Sequence, residues 1–158
     1  MPHPSRRVSF ATLLLLTTAV LAATSVFRST LAARDSTDPD AEAIRRVITT
    51  AYVEGLHMNG SRQAIRAGFH PDFVMKVLTD EGLTDVTIEE WIARLPEEGT
   101  PPPRTVGHAI PDVSVSGVAA TARVEISFDD RLVFTDYMSL YKFGDEWRIV
   151  AKIFNREN

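Results

Sequence analysis

Residues 134–154 read FTDYMSLYKFGDEWRIVAKIF, two runs of alternating side chains separated by Gly144 and Asp145. Alternation with a period of two is the mark of a strand with one buried face, and a Gly-acidic pair between two such runs marks a hairpin turn. The stretch therefore predicts two long antiparallel strands. In the first, Leu132, Phe134, Asp136, Met138 and Leu140 share one face, and Val133, Thr135, Tyr137, Ser139 and Tyr141 share the other. Asp136 thus keeps company with apolar residues, where a carboxylate is costly unless it is hydrogen-bonded, paired or shifted in pKa. Two readings stand beside each other: a functional polar group inside a pocket, or one half of an ion pair with Arg123, Arg148 or Lys152 on a neighbouring strand.

The same period runs back to Arg104, with turn signals at Ser116-Gly117 and Asp129-Asp130, so that four strands follow one another as an antiparallel meander. Upstream the period becomes helical. Asp38, Pro39 and the acidic Asp40 and Glu42 compose a helix start. Ile44, Val47, Ile48, Ala51, Gly55 and Leu56 then trace one apolar face, with Tyr52 on its edge and His57 opposite it, toward solvent. Asn59-Gly60 stops this helix, Ser61 caps a second one ending at Gly68, and Pro71 turns the chain into a short strand, DFVMKVL. Thr87 and Glu90 form a capping box for a third helix carrying Ile88, Trp91, Ile92 and Leu95. Three helices followed by a curling antiparallel sheet give an α+β domain, the helices packed into the concave side.

The chain has 158 residues, 44% hydrophobic and 24% charged, which suits one globular domain. A net charge of -4 without clustered Lys and Arg argues against a nucleic-acid partner. With no cysteine, disulfides, thiolate metal sites, cysteine nucleophiles and acylated lipoprotein anchors are excluded together. Arg6 and Arg7 precede the apolar run FATLLLLTTAVLAA, so residues 1–33 read as a cleaved export signal, with cleavage after Ala22, Ala23 or Ala33. The run is shorter than the roughly 20 residues a bilayer core needs, so no stable membrane anchor is expected. Residues 34–40 are then a short linker, 41–156 the domain, and the protein periplasmic or secreted.

The order of elements resembles the nuclear transport factor 2-like superfamily and, within it, the branch named "putative lumazine-binding". The strings AIRRVITTAYVEGL, AGFHPDFVMKVL, VTIEEWIARL, VSVSGVAATARVEI and FTDYMSLYKFGDEWRIVAKIF carry the resemblance. It implies a cone-shaped barrel, a curved antiparallel sheet wrapped around three N-terminal helices, with a hydrophobic cavity at its wide end and frequent pairing into homodimers through the outer sheet face. The same fold, shared with ketosteroid isomerases and the SnoaL-like polyketide cyclases, also hosts epoxide hydrolases, dehydratases and non-catalytic binding and assembly modules, so it does not choose among functions.

What the resemblance implies for catalysis is a base near the end of the second helix and Tyr, Asp or His donors on the interior. Tyr52, His70, His108 and Asp136 are the candidates. His70, with Asp72, also reads as a corner fixed by Pro71. His108 shares a face with Val106 and Ile110 and is a core or interface residue in the plainer reading. Tyr52, Leu56, Phe73, Trp91, His108, Phe134, Asp136 and Met138 are expected to line a pocket for a small hydrophobic molecule. No cofactor is expected: nucleotide-binding glycine loops are absent, and the four scattered histidines make no metal motif. The readings left open are an exported small-molecule-binding protein, an acid-base enzyme of the isomerase, cyclase or hydratase kind, and a dimerisation or interaction module.

Overall fold

The computed structural model describes residues 38–157. The export-signal reading of residues 1–33, and the linker up to residue 37, lie outside these. Helix α1 (Pro39–Val47) begins where its capping chemistry dictates: the Asp38 carboxylate accepts Asp40 N–H at 3.0 Å, and Pro39 takes the first helical position. Beyond Val47 the winding loosens. Ile48–His57 is a π-helix, with bonds spanning five residues such as Met58 N–H to Val53 O at 2.9 Å. In this winding residue i+5 sits above residue i, so the buried stripe widens to take in Tyr52 and Val53, neither of which retains exposed surface.

Asn59, at φ 55°, ends the segment, and Ser61 caps α2 (Arg62–Gly68) by accepting Ala64 N–H at 3.2 Å. Gly68 is fixed by proximity, since a Cβ there would lie 2.3 Å from Ala51 Cβ. Strand β1 (Phe69–Thr79) follows and starts before Pro71, earlier than the sequence indicates. Its pairing is interrupted between Phe69 and Val74, so the missing N–H of Pro71 falls where no ladder bond is required. β2 (Gly82–Thr87) returns as a hairpin and leads into α3 (Ile88–Ala93) through the Thr87–Glu90 capping box.

Then come β3 (Val106–Ser116), β4 (Ala119–Phe128), β5 (Arg131–Phe143) and β6 (Glu146–Arg156), paired antiparallel in sequence order. The strands form one six-stranded sheet ordered β2-β1-β6-β5-β4-β3. The expected α+β architecture is present; in the sheet, β6 lies parallel to β1, and the sheet is open, with edges at β2 and β3. The core lies between helices and sheet, where Ile44, Ile48 and Ile65 meet Ile126, Leu140 and Ile149, all within 1% of complete burial. Each such side chain contributes about 1.5–3 kcal/mol. Asp40 ties α1 to the β5–β6 end, accepting Lys142 Nζ at 2.7 Å and Trp147 Nε1 at 3.0 Å.

Candidate functional site

Alternation along β5 sends Asp136 inward, as its neighbours require, and its exposure is zero. Tyr52 Oη donates to Asp136 Oδ2 at 2.5 Å, Lys152 Nζ donates to Tyr52 Oη at 2.8 Å, and the ammonium stands 2.8 Å from Asp136 Oδ1. This last contact is an ion pair without hydrogen-bond alignment. Lys152 comes from β6, where it pairs with Met138 of β5 and so sits diagonally from Asp136. Its ammonium lies 4.9 Å from the ring centre of Tyr52, 5.0 Å from Trp91 and 4.8 Å from Phe154, an aromatic cage closed around the protein's own cation. Burial lowers the Lys152 pKa against the opposing pull of Asp136. Burial and the Asp136 charge together raise Tyr52 well above 10, so its hydroxyl stays protonated and donating.

His57 sits against Tyr52, ring centres 4.7 Å apart and planes at 88°. The expectation that it faces solvent is corrected: five residues after Tyr52, it returns to the same side because the helix is π-wound. Phe128 and Phe134 flank it at 6.0 and 6.5 Å. Its Nε2 is buried without a hydrogen-bond partner. Burial, then the charge of Lys152, lowers its pKa to about 3, so the ring is neutral at physiological pH.

His57 also forms one wall of a pocket of about 310 Å³ at the open end of the sheet, with Pro102, Pro103, Arg104, Val106 and Phe128. The proline connector that closes it is pinned at both ends. Asn59 Nδ2 donates to Glu97 O at 2.6 Å and Thr100 O at 3.0 Å, and Arg62 Nη2 donates to Pro96 O at 2.6 Å. At the other end Thr105 N–H donates to Asp129 Oδ1 at 3.0 Å, and Asp129 N–H to Thr105 O at 2.9 Å. A stiff segment held at two points makes a preformed wall.

A family model described as "Putative lumazine-binding" matches residues 39–155. The chain belongs to this family. Solved structures place the putative lumazine-binding domain among nuclear transport factor 2-like (NTF2-like) folds. An NTF2-like protein of unknown function from Shewanella baltica is 23% identical, with 78% of this chain and 99% of that one covered and a TM-score of 0.63. One from Silicibacter pomeroyi is 24% identical over 73% and 94% of the two chains, at 0.61. The CaMKII hub homology domain from Chlamydomonas reinhardtii is 13% identical over 75% and 99%, at 0.54. Among curated proteins, none is significantly similar in sequence.

Of the residues singled out in the sequence, the domain brings Tyr52, Asp136, Leu56, Phe73 and Met138 together in its sealed interior. Trp91 and Phe134 are half-buried beside them. The other two lie elsewhere. His70 stacks on Phe143, ring centres 4.7 Å apart, and its Nδ1 accepts Asp72 N–H at 3.1 Å, the geometry of a corner. His108 pairs with Ile126 across β3 and β4 but is exposed, since β3 is an edge strand with nothing beyond it. The mouth pocket itself is lined by none of the residues nominated for it, because its far wall is the connector. Lys152 is the member of the interior cluster that the site reading left as one option among three cations. Among the described residues, no group of three His, Asp or Glu side chains converges as metal ligands would, and no helix is long and apolar enough to cross a membrane.

Proposed function

We propose that this protein, once exported and freed of residues 1–33, binds a small, largely apolar molecule non-covalently in the pocket over His57. The observation that carries this reading is the pocket itself: about 310 Å³, apolar on most sides, one unsatisfied imidazole in its wall and a connector pinned at both ends. Its size falls at the lower limit of the roughly 300–1,000 Å³ of small-molecule sites. An acid-base enzyme is the weaker reading, because His57, the titratable ring at this pocket, is too poor a base at neutral pH with a pKa near 3. Asp136 is engaged by Tyr52 and Lys152 behind it.

The same proposal has two chains paired through the outer sheet face, where Tyr137, Tyr141 and Ile153 are 51%, 50% and 55% exposed. Export is supported by the signal-like composition of residues 1–33.

The test is native mass spectrometry of protein recovered from an exported preparation, followed by thermal unfolding with the molecule found or with a panel of small apolar compounds. Binding at a hundredfold excess over Kd adds about 2.7 kcal/mol to stability. Asn59→Ala, which removes two of the hydrogen bonds that hold one end of the connector, is expected to weaken binding. A clean mass together with no thermal response across the panel overturns the reading.

A further inference from the structure

The pocket over His57 is asymmetric in a way that its apolar lining conceals. Phe128, Val106, Pro102 and Pro103 form the body, and one full cation, Arg104, stands at the rim. Arg104 makes no ion pair and no side-chain hydrogen bond among the described residues, although most other arginines of the domain are engaged. Arg62 is held by Asn59 and Pro96, Arg66 by Glu89, and Arg148 by Glu146. The carboxylate nearest in sequence register, Asp129, is committed to Thr105 N–H. At the inner end the wall is the His57 ring, kept neutral first by burial and then by the charge of Lys152 behind it.

We propose that the molecule taken by this pocket is an apolar carboxylic acid, bound with its carboxylate on Arg104 and its body against Phe128, Val106 and the prolines. The inference rests on the binding reading above and adds the ligand's class to it. A carboxylate fits better than a phosphate. It carries a single charge and matches the fork of one guanidinium, whereas a phosphate dianion calls for several donors, which this rim does not supply. A neutral ligand would leave Arg104 idle, and a cationic one would meet it at the entrance.

The experiment compares phenylacetate with its methyl ester by isothermal titration against the wild type and Arg104→Gln. The two probes share the same ring and differ by the charge. The acid is expected to bind the wild type about fivefold to tenfold more tightly than the ester, a modest preference because Arg104 is exposed. That preference is expected to shrink in 0.5 M salt and to vanish in Arg104→Gln, with the ester unaffected by the substitution. Equal binding of acid and ester to the wild type, or an acid preference that survives Arg104→Gln, overturns the carboxylate inference and leaves the binding reading standing. Failure of both probes to bind the wild type overturns the inference, and a blank response to the wider apolar panel then removes the binding reading as well.

Discussion

Replacing Lys152 with Met removes a cation and strands a carboxylate. Asp136 is fully buried, and breaking a buried pair from one side costs about 3–5 kcal/mol. The triple replacement Tyr52→Phe, Asp136→Leu, Lys152→Met removes every member of the network and is expected to recover most of that loss in urea unfolding. Simple addition of three single-site costs would contradict the coupling drawn here. Which cation answers Asp136 is a matter of parity. Asp136 pairs with Val124 across β4, so Arg123, one residue away, points to the other face, and Arg148 lies opposite the outward Tyr141. Alternation made Asp136 legible in the sequence, but only strand register selects Lys152. His57 gives a second test. Its pKa is about 6.5 unfolded and about 3 folded, so the unfolded chain holds more protons between those values. Stability from this group is complete above pH 6.5 and is lost as pH falls toward 3. His57→Phe is therefore expected to unfold less steeply with acid than the wild type between pH 6.5 and 4.5, as urea midpoints would record; parallel pH profiles would mean that His57 is free to protonate in place.

Among the elements, the joint between the π-helical segment and α2 is the most exacting. Gly55 would place a Cβ 2.6 Å from Ile65 Cγ1, and Gly68 one 2.3 Å from Ala51 Cβ. The first clash is with a side chain that can turn; the second is between two atoms fixed to backbone. Gly68→Ala is accordingly expected to destabilise by about 1–3 kcal/mol, and Ala51→Gly in that background to restore part of the loss despite its own helix penalty of about 1 kcal/mol. Equal stability of Gly68→Ala and wild type in denaturant would show that the two elements can separate freely. The capped helix starts and β3 to β6 were readable because caps and period-two patterns are local. The π winding was not, since its hydrogen bonds differ from those of an α-helix by one residue and its composition does not. β2 escaped because GLTDVT buries only Val86 and so shows no alternation.

At the scale of the whole molecule, the sheet has two faces of different character, and the outer one is unfinished. A row crosses four strands there, Asp112 of β3 beside Arg123 of β4, then Tyr137 of β5 and Ile153 of β6, and the last two are half-exposed. Tyr141 stands two same-face positions along β5, beyond Ser139, and is equally half-exposed. Large aromatic and aliphatic side chains on an open face are the composition of an interface core, flanked here on one side by the neighbouring Asp112 and Arg123, one charge of each sign. A symmetric pair needs about 800 Å² from each partner, an area that a four-stranded face can supply. The proposed dimer predicts a sedimentation mass of two chains at micromolar concentration. Tyr137→Glu places a carboxylate at the centre of the patch in both copies, so it is expected to weaken pairing at least a hundredfold and return the mass to one chain. Because Tyr137 points away from the interior, its replacement should leave the circular dichroism spectrum and the titrations at the His57 pocket unchanged. A wild type that sediments as one chain at every concentration would remove the pairing and leave the pocket, which one chain builds alone, untouched.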